Sequence, residues 1–244
     1  MEKLYGACRA LYESAFGSEP RAWNDALFRV AFPDCLRVIL EGEKPVSMLF
    51  SIPYPIKTEK GIIPARYLYA VATDADHRGR GLAKRLIGEE ISKGLPLFLR
   101  PSSASLFSFY EKAGLSPLSP VLTTDGAAEM GDFEGFELIG VDAYLAMRES
   151  FLKSPFALPT GEFLSLGFLL GGAVCRAGEF VAFYERHGRT VYFKEWLGNR
   201  DFAPRAAAFL GADTYRLRTP DPMGEPFGVG ADLPHDLAFS IALD

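Results

Sequence analysis

The sequence predicts an α+β (α/β) fold in which a mixed, mainly antiparallel sheet is flanked by helices. Apolar residues recur at helical spacing in some segments and form short strand-like runs in others. Two helical segments come first, a strand meander follows, and a helix and a further strand come after it. The chain has 244 residues, enough for two small domains, and its later half repeats the order strand, strand, strand, helix, strand.

Two helices are expected ahead of the first strand. The first ends at Gly17, and its apolar face consists of Leu4, Cys8, Leu11 and Ala15. The second can be capped by Ser18 and has Pro20 in its first turn, a position that suits the start of a helix. Its apolar stripe consists of Trp23, Leu27 and Val30.

Strands follow these helices. "CLRVILEGEKPVSMLFSIPYPI" predicts two strands joined by a turn from Glu41 to Lys44, and "GIIPARYLYAVAT" predicts a third. Next come a helix in "LAKRLIGEEISKG", a short strand in "LPLFLRP" and a helix in "SSASLFSFYEKAGL". Ser102 or Ser103 can cap this last helix, whose inner side is predicted to carry Leu106, Phe109, Tyr110 and Ala113.

The character of the sequence changes near Ser116. "SPLSP" and "TTDGAAEMGDFEG" are rich in Ser, Pro, Gly and Asp, so this stretch is predicted to be a connection. "VDAYLAMRESFL" then predicts a helix, and "GAVCRAGEFVAFYERHGRTVYFKEWLG" predicts three strands with turns at Ala177-Gly178 and His187-Gly188. "APRAAAFLG" predicts a short helix and "DTYRLRTP" a strand.

Composition excludes several functional classes. The formal net charge of −5 argues against broad nucleic-acid binding and is compatible with a cationic substrate. The chain carries no signal-like or membrane-spanning apolar stretch, so we expect a cytoplasmic protein without a membrane partner. Three widely separated cysteines indicate reduced, buried thiols, and no His, Cys or acidic residues have metal-ligand spacing, so no metal is expected.

The segment "DADHRGRGLAKRLIGEE", from Asp74 to Glu90, lies where a strand gives way to a helix. Unpaired amide groups and the helix dipole make such a turn suitable for a phosphate, and glycines let the ligand approach the backbone. The positive side chains nearby are Arg78, Arg80, Lys84 and Arg85. The glycine spacing matches neither a P-loop nor a dinucleotide fingerprint. A solvated helix start with arginines for solubility remains the alternative.

Two short motifs resemble those of the GCN5-related N-acetyltransferase (GNAT) superfamily. "RGRGLA", from Arg78 to Ala83, matches the signature [RQ]-x-x-G-x-[GA], and "FYEKAGL" is similar to the second motif of that superfamily. The order of the intervening helices and strands agrees, and the resemblance covers about Lys3 to Leu115. It implies a GNAT (acyl-CoA N-acyltransferase) sheet and an enzyme that moves an acetyl group from acetyl-CoA to a primary amine of a small molecule.

The resemblance also implies the roles of individual residues. The coenzyme pyrophosphate would lie on the loop of Arg78, Gly79, Arg80, Gly81, Leu82 and Ala83. The pantetheine arm would pair with the strand ending in Val71, Ala72 and Thr73. Ser103 could bond the coenzyme, although simple helix capping explains it equally well. Ala75 stands where the family often has proline, a departure that affects the turn.

Tyr110 occupies the position of the family's tyrosine that protonates the departing thiolate. The alternative is an inner-face aromatic that packs beside Phe107 and Phe109. No general base is singled out, because the acidic candidates have no distinctive spacing and are expected to be solvated; these candidates are Asp34, Glu41 and Glu59. His77 is expected to be a turn residue.

The later half resembles a second, smaller GNAT-like unit without a coenzyme site. Asn199 to Arg205, where the phosphate loop would fall, contains no glycine and includes Pro204. We therefore predict a catalytic domain over residues 1–125 and a degenerate domain over residues 126–244. The alternative functions are a catalytically inactive coenzyme-binding sensor or scaffold and an acyltransferase for longer acyl chains. The oligomeric state stays open, a homodimer being one possible assembly.

Overall fold

The computed structural model describes residues 2–17, 20–234 and 236–242. Its helices are α1 Glu2–Phe16, α2 Arg21–Ala31, α3 Leu82–Ile91, α4 Phe107–Glu111, α5 Val141–Phe151, α6 Gly161–Gly167 and α7 Ala203–Phe209. Its strands are β1 Leu36–Glu41, β2 Lys44–Pro53, β3 Ile56–Thr58, β4 Gly61–Ile63, β5 Arg66–Thr73, β6 Leu97–Leu99, β7 Ser116–Ala127, β8 Phe136–Ile139, β9 Phe156–Ala157, β10 Gly171–Arg176, β11 Phe180–His187, β12 Thr190–Gly198, β13 Thr214–Pro220 and β14 Glu225–Ala231.

The chain divides into two compact units. The first runs up to Pro117 and includes the segment that starts at Gly228, and the second runs from Leu118 to Phe227 and includes the segment from Asp236. The predicted division into residues 1–125 and 126–244 stays a prediction. None of the helices in the described ranges is long and apolar enough to cross a membrane.

The sheet of the first unit has the strand order β1-β2-β5-β6-β14. Neighbouring strands are antiparallel except β5 and β6, which are parallel. The predicted mixed, mainly antiparallel sheet flanked by helices is therefore confirmed. The single strand expected over Gly61–Thr73 is wrong, since Pro64 lacks an amide donor and the segment divides into β4, which forms a hairpin with β3, and β5.

Helices α1 and α3 both pack against β2 and β5. The predicted helical faces are largely confirmed, because Cys8, Leu11, Trp23 and Leu27 are buried. Phe28 joins α2 to the sheet through an edge-on contact with Phe50, their ring centroids 5.3 Å apart. The details of the start of α2 differ from prediction: Pro20 precedes the helix instead of lying in its first turn, and Ser18 lies outside the described residues.

A β-bulge interrupts β5 close to its end. Phe50 lies opposite Tyr69 and Met48 opposite Ala72, so Leu49 of β2 faces two residues of β5. One of these, Ala70, has a φ of 54°, a conformation that non-glycine residues adopt rarely. Pairing of β5 with β6 covers only Arg66 and Tyr67 among the described residues. The final residues of β5 therefore leave one edge of that strand open.

The second unit has the strand order β7-β13-β12-β11-β10-β8. Strands β10, β11 and β12 form an antiparallel meander, α7 follows, and β13 returns parallel to β12. This is the arrangement of β1, β2, β5, α3 and β6, so the repeat seen in the sequence is also a repeat of strand pairing. The register of β11 and β12 also shifts, between Phe183 and Tyr184.

The connection predicted after Ser116 is wrong for residues 116–127, which form a strand, and confirmed for residues 128–135, which contain neither helix nor strand. β7 extends over Ser116–Ala127 and pairs antiparallel with β13 from Val121 to Ala127. Its composition hides a strand because most of its side chains are exposed or half-buried, so no apolar alternation marks it. Backbone pairing with β13 supplies the hydrogen bonds that the local sequence does not indicate.

A buried ion pair lies in the core of the second unit. Arg148 Nε donates to Glu195 Oε2 at 2.7 Å, and both side chains are almost fully inaccessible. Arg148 also donates to the Ala157 carbonyl at 2.8 Å, and the Tyr144 and Ser240 hydroxyls donate to Glu195. Burial alone would raise the pKa of Glu195, but Arg148 and these donors hold it below its usual value. Glu195 is therefore a structural carboxylate.

All three cysteines, Cys8, Cys35 and Cys175, are buried and none is in a disulfide, in agreement with the predicted buried thiols. Burial raises the pKa of Cys8 to about 11. Such a thiol stays protonated near neutral pH and is a poor nucleophile. In the described part of the chain, no three His, Cys, Asp or Glu side chains are grouped so that they could hold a metal ion.

Candidate functional site

The basic glycine segment forms a tight loop between β5 and α3. Gly79 and Gly81 have φ values of 75° and 74°, which only glycine adopts without strain. Gly81 occupies the N-cap position of α3, and no side chain caps the helix. Among the described residues, no acceptor is found for the backbone N–H groups from Gly79 to Lys84. The first backbone hydrogen bond of the helix is donated by the Arg85 N–H to the Gly81 carbonyl oxygen at 2.9 Å.

These amides lie at the positive end of the α3 dipole, and an added Cβ at Gly79 or Gly81 would meet no atom within 4 Å. A ligand can therefore approach the loop backbone at Gly79 and Gly81, where no side chain intervenes. Unpaired donors, a positive dipole and space suit a phosphate group. The residues present fit the pyrophosphate of a coenzyme.

The cationic side chains of the loop have different partners. Arg78 Nε donates to the Thr73 carbonyl at 3.4 Å, which closes the turn, and Arg80 donates to Glu41 at 3.2 Å. Arg85 bonds Glu89 one helical turn further on, at 2.9 Å. Lys84 is exposed. Of these four, Arg85 is thus held along the helix and away from the loop.

A cluster of charged side chains lies beneath the loop. His77 Nδ1 is 2.7 Å from Asp74 Oδ1, and His77 Nε2 is 2.9 Å from Glu41 Oε2. Lys44 lies 2.9 Å from the other Asp74 oxygen. Hydrogen bonds from His77 and then Lys44 lower the pKa of Asp74 to about 2. The bonds to Glu41 and Asp74 raise the pKa of His77 above its usual value.

The predicted pantetheine strand lies at the open edge of β5. Val71, Ala72 and Thr73 follow the bulge, and no strand pairs with them on the β6 side within the described residues. On the opposite side, the Ser47 hydroxyl donates to the Ala72 carbonyl and contacts the Thr73 hydroxyl, both at 3.0 Å. These bonds hold the edge of β5 that faces β2, while the edge on the β6 side stays available to an extended ligand.

Tyr110 lies in α4 and is 7% exposed. Burial raises the pKa of its hydroxyl to about 12, and burial is the one cause of this shift. Its ring meets Phe109 edge-on, with the centroids 5.1 Å apart. Phe109, expected on the inner side, is 37% exposed, because α4 is only five residues long and turns this ring outward.

Ser103 lies at the start of the segment that leads into α4. It occupies the N-cap position of a 3-10 turn at Ala104–Leu106, but its side chain makes no capping bond. Its hydroxyl lies 2.9 Å from that of Ser105 instead. The expectation that Ser103 caps the helix is therefore wrong, since the segment begins with a 3-10 turn before α4.

The candidate bases are separated by the structure. Asp34 is exposed ahead of β1, and Glu59 is exposed in the turn between β3 and β4. Glu41 is exposed too, but its two oxygens bond His77 and Arg80. The expectation that Glu41 is merely solvated is wrong, because it belongs to the charge cluster of the loop.

The corresponding loop of the second unit is built differently. Gly198 has a φ of 102°, but an added Cβ there would lie 2.2 Å from the Glu179 carbonyl oxygen, so this glycine permits close packing. The Asn199 side chain accepts from Asp201 N–H at 3.0 Å, and Pro204 has no N–H. In this loop the Asp201 N–H is therefore already bonded to a side chain, and position 204 has no N–H to offer a phosphate.

Sequence reasoning missed three features of the first-unit site. These are the carboxylate bridge through His77, the support from Ser47 and the bulge at Ala70. Glu41 and His77 are far apart in the sequence, and an alanine gives no signal for a positive φ. The "DADHR" spacing could have suggested the Asp74 cap, whose side chain accepts from Asp76 N–H at 3.2 Å.

Comparison with protein families agrees with this architecture. Residues 2–117 match the model of the acetyltransferase (GNAT) domain family. The first unit is therefore similar to a GNAT domain over nearly all of its first 117 residues. A comparison with curated protein sequences gave no significant match.

Solved structures share the fold at low sequence identity. A GCN5-related N-acetyltransferase from Kribbella flavida has a TM-score of 0.65 at 13% identity, with 94% of this chain and 69% of that chain covered. One from Anabaena variabilis ATCC 29413 has a TM-score of 0.63 at 14% identity, with 92% and 67% covered. A conserved protein from Enterococcus faecalis V583 has a TM-score of 0.66 at 15% identity, with 94% and 69% covered. The likeness extends over both units, so the second unit belongs to the shared fold.

Proposed function

We propose that the protein is an N-acetyltransferase that moves an acetyl group from acetyl-CoA to a primary amine of a small molecule. The observation that carries the proposal is the row of unpaired amides from Gly79 to Lys84 at the start of α3. A pyrophosphate would accept hydrogen bonds from these groups and gain from the helix dipole. The proposed contacts are with Arg78, Gly79, Arg80, Gly81, Leu82 and Ala83.

The open edge of β5 supports the second part of the proposal. Val71, Ala72 and Thr73 would hold the pantetheine arm by backbone pairing, in the manner of an added strand. The bulge at Ala70 reorients the backbone groups at this point. Such a reoriented N–H could polarise the acyl carbonyl oxygen, as an oxyanion-hole donor does.

Acetyl-CoA would supply an acyl group already activated as a thioester. The Tyr110 hydroxyl, whose pKa burial raises to about 12, is protonated at neutral pH and is a candidate general acid. Its side chain is buried, and burial alone accounts for its raised pKa. Donation to the departing sulfur would make the thiol a better leaving group.

Calorimetric titration with acetyl-CoA tests the coenzyme site. Gly81→Glu places a carboxylate against the pyrophosphate and strains the backbone at a φ of 74°, and we expect the two effects together to weaken binding by at least about 100-fold. Gly94→Glu is the matched control, since Gly94 is an exposed glycine with a φ of 69° and its added Cβ also meets nothing within 4 Å. We expect this control to bind nearly as the native protein does.

Turnover assays with primary amines separate the proposed enzyme from the alternative sensor or scaffold. Thiol release that depends on the amine supports transfer, whereas binding without turnover across a broad amine panel supports the alternative. A folded native protein that does not bind acetyl-CoA would overturn the coenzyme assignment. Equal binding by the native protein and Gly81→Glu would overturn the placement of the pyrophosphate.

A further inference from the structure

The imidazole of His77 lies between two carboxylates. Its Nδ1 is 2.7 Å from Asp74 and its Nε2 is 2.9 Å from Glu41, and the side chain is 12% exposed. An ionised carboxylate only accepts hydrogen bonds, and a neutral imidazole has a single N–H to donate. Both bonds therefore require the imidazolium form. The geometry itself specifies the protonation state of His77.

We propose that His77, as an imidazolium, is a positioning residue that ties the turn between β1 and β2 to the coenzyme loop and thereby strengthens acetyl-CoA binding. This inference rests on the proposed function and assigns a role to a residue within one turn of the loop. His77 acts through Glu41, Asp74 and the electrostatic field, without contact with the reacting atoms. Its two links join β1 to the segment that enters the loop at Arg78.

The charges around His77 come from every neighbouring element. β1 contributes Glu41, the start of β2 contributes Lys44, and the turn between them contributes Glu43. The segment after β5 and the loop contribute Asp74, Asp76, Arg78 and Arg80. Helix α1 lines the adjacent cavity of about 510 Å³ only with uncharged residues, which are Ala7, Ala10, Leu11 and Ser14. The immediate partners of His77 are thus the two carboxylates.

The two carboxylates differ in the number of partners that they keep when the bonds to His77 are lost. Asp74 also accepts from Asp76 N–H at 3.2 Å and pairs with Lys44 at 2.9 Å. Among the described residues, Glu41 accepts one further bond besides that from His77, from Arg80 at 3.2 Å, and its side chain is 59% exposed. Deprotonation of His77 should therefore break the link to Glu41 first. The turn between β1 and β2 would then no longer be joined to the loop through His77.

The direction of the pH effect follows from these partners. Hydrogen bonds to Glu41 and then Asp74 raise the pKa of His77 above 6.5, its ordinary value. The bridge is complete below that ordinary pKa and is lost as the pH rises through the raised pKa. A positive charge beneath the loop favours a bound pyrophosphate, so acetyl-CoA affinity should fall over the same range. His77 lies two residues before Gly79 in the chain, so we expect loss of its single positive charge to weaken acetyl-CoA binding by about threefold to tenfold.

The experiment measures two quantities as a function of pH in the full chain. Calorimetry gives the acetyl-CoA dissociation constant from pH 7 to pH 9.5, a range above the phosphate ionisation near pH 6. NMR gives the pKa of His77 in the coenzyme-free protein, with His77→Gln assigning its signal among three histidines. His187→Gln is the matched control, because His187 is an exposed histidine at the end of β11.

We expect the native protein and His187→Gln to lose affinity as the pH rises. His77→Gln should bind with the weaker, high-pH affinity of the native protein throughout, because a glutamine amide has one donor group and no charge. Glu41→Gln should lower the NMR pKa of His77 and move the affinity change to lower pH. That shift distinguishes a titrating bridge from a purely structural role of His77.

Two results would overturn the positioning role. One is an unchanged dependence of affinity on pH in His77→Gln, and the other is a His77 pKa at or below its ordinary value in the native protein. Native protein that binds no acetyl-CoA at any pH would overturn the proposed function and the positioning role with it. A raised His77 pKa in that case would show that the failure lies with the coenzyme assignment and not with the bridge.

Discussion

Tyr110 combines features that sequence spacing could suggest only in part. The pattern "FYEKAGL" predicted its place in a helix, and the structure adds its burial and the raised pKa of about 12. Burial explains that shift, because the phenolate would lose its hydration. A buried phenol at this position is compatible with both a general acid and a packing aromatic. Kinetics can separate the two.

We predict that Tyr110→Phe lowers kcat by about 100-fold and leaves the acetyl-CoA dissociation constant nearly unchanged, since only proton donation is lost. Steady-state rates and calorimetry measure the two effects. Tyr184→Phe is the control, because Tyr184 is a half-buried tyrosine of the second unit whose pKa burial also raises. A full rate in Tyr110→Phe would show that the ring only packs.

The pH profile offers a separate test of Tyr110. A pKa of about 12 leaves the hydroxyl protonated throughout the range from pH 7 to pH 10. Any alkaline loss of activity in that range therefore comes from another group, and His77 is the candidate proposed above. We expect the residual activity of Tyr110→Phe to follow the same pH profile as the native enzyme.

At the scale of elements, the loop before α3 and the bulge in β5 form one local arrangement. The sequence predicted the loop because glycines and a helix start have recognisable signals. It did not predict the bulge, because Ala70 is an ordinary strand residue by type. The bulge arises from the register with β2, where Leu49 faces two residues of β5.

We predict that Ala70→Val lowers the free energy of unfolding by about 1–3 kcal/mol, since a β-branched side chain is disfavoured at a positive φ. Ala70→Gly should change it by less than about 1 kcal/mol, because relief of strain offsets the added freedom of the unfolded chain. Urea denaturation gives both values. Ala72→Val adds the same volume at a buried position without a positive φ. An equal cost at positions 70 and 72 would argue against strain at the bulge.

At the scale of the whole molecule, two units share an order of strands but differ in the loop that would bind a phosphate. Free amides follow Gly79 in the first unit, whereas Asn199 and Pro204 occupy the matching segment in the second. Moreover, the buried Arg148–Glu195 pair gives the second unit a polar core that is already satisfied. The repeat therefore predicts one coenzyme site in the chain.

We predict a calorimetric stoichiometry of one acetyl-CoA per chain, because the second unit offers no row of unpaired amides at the matching position. Gly81→Glu should remove the entire binding signal and not half of it. Protein concentration for this measurement is best fixed by absorbance and by amino-acid analysis together. A stoichiometry of two, or a residual site in Gly81→Glu, would contradict the assignment of the second half as degenerate.

The sequence by itself determined most helices, the strand meanders, the repeated order and the glycine loop, because apolar periodicity and turn residues are local signals. Tertiary structure alone decided that β7 is a strand, that β5 carries a bulge and that Glu41 reaches His77. Each of these depends on partners distant in the chain, which supply backbone hydrogen bonds or opposite charges. Local patterns specify which elements form, whereas pairing between elements specifies register, the protonation state of His77 and the open edge of β5.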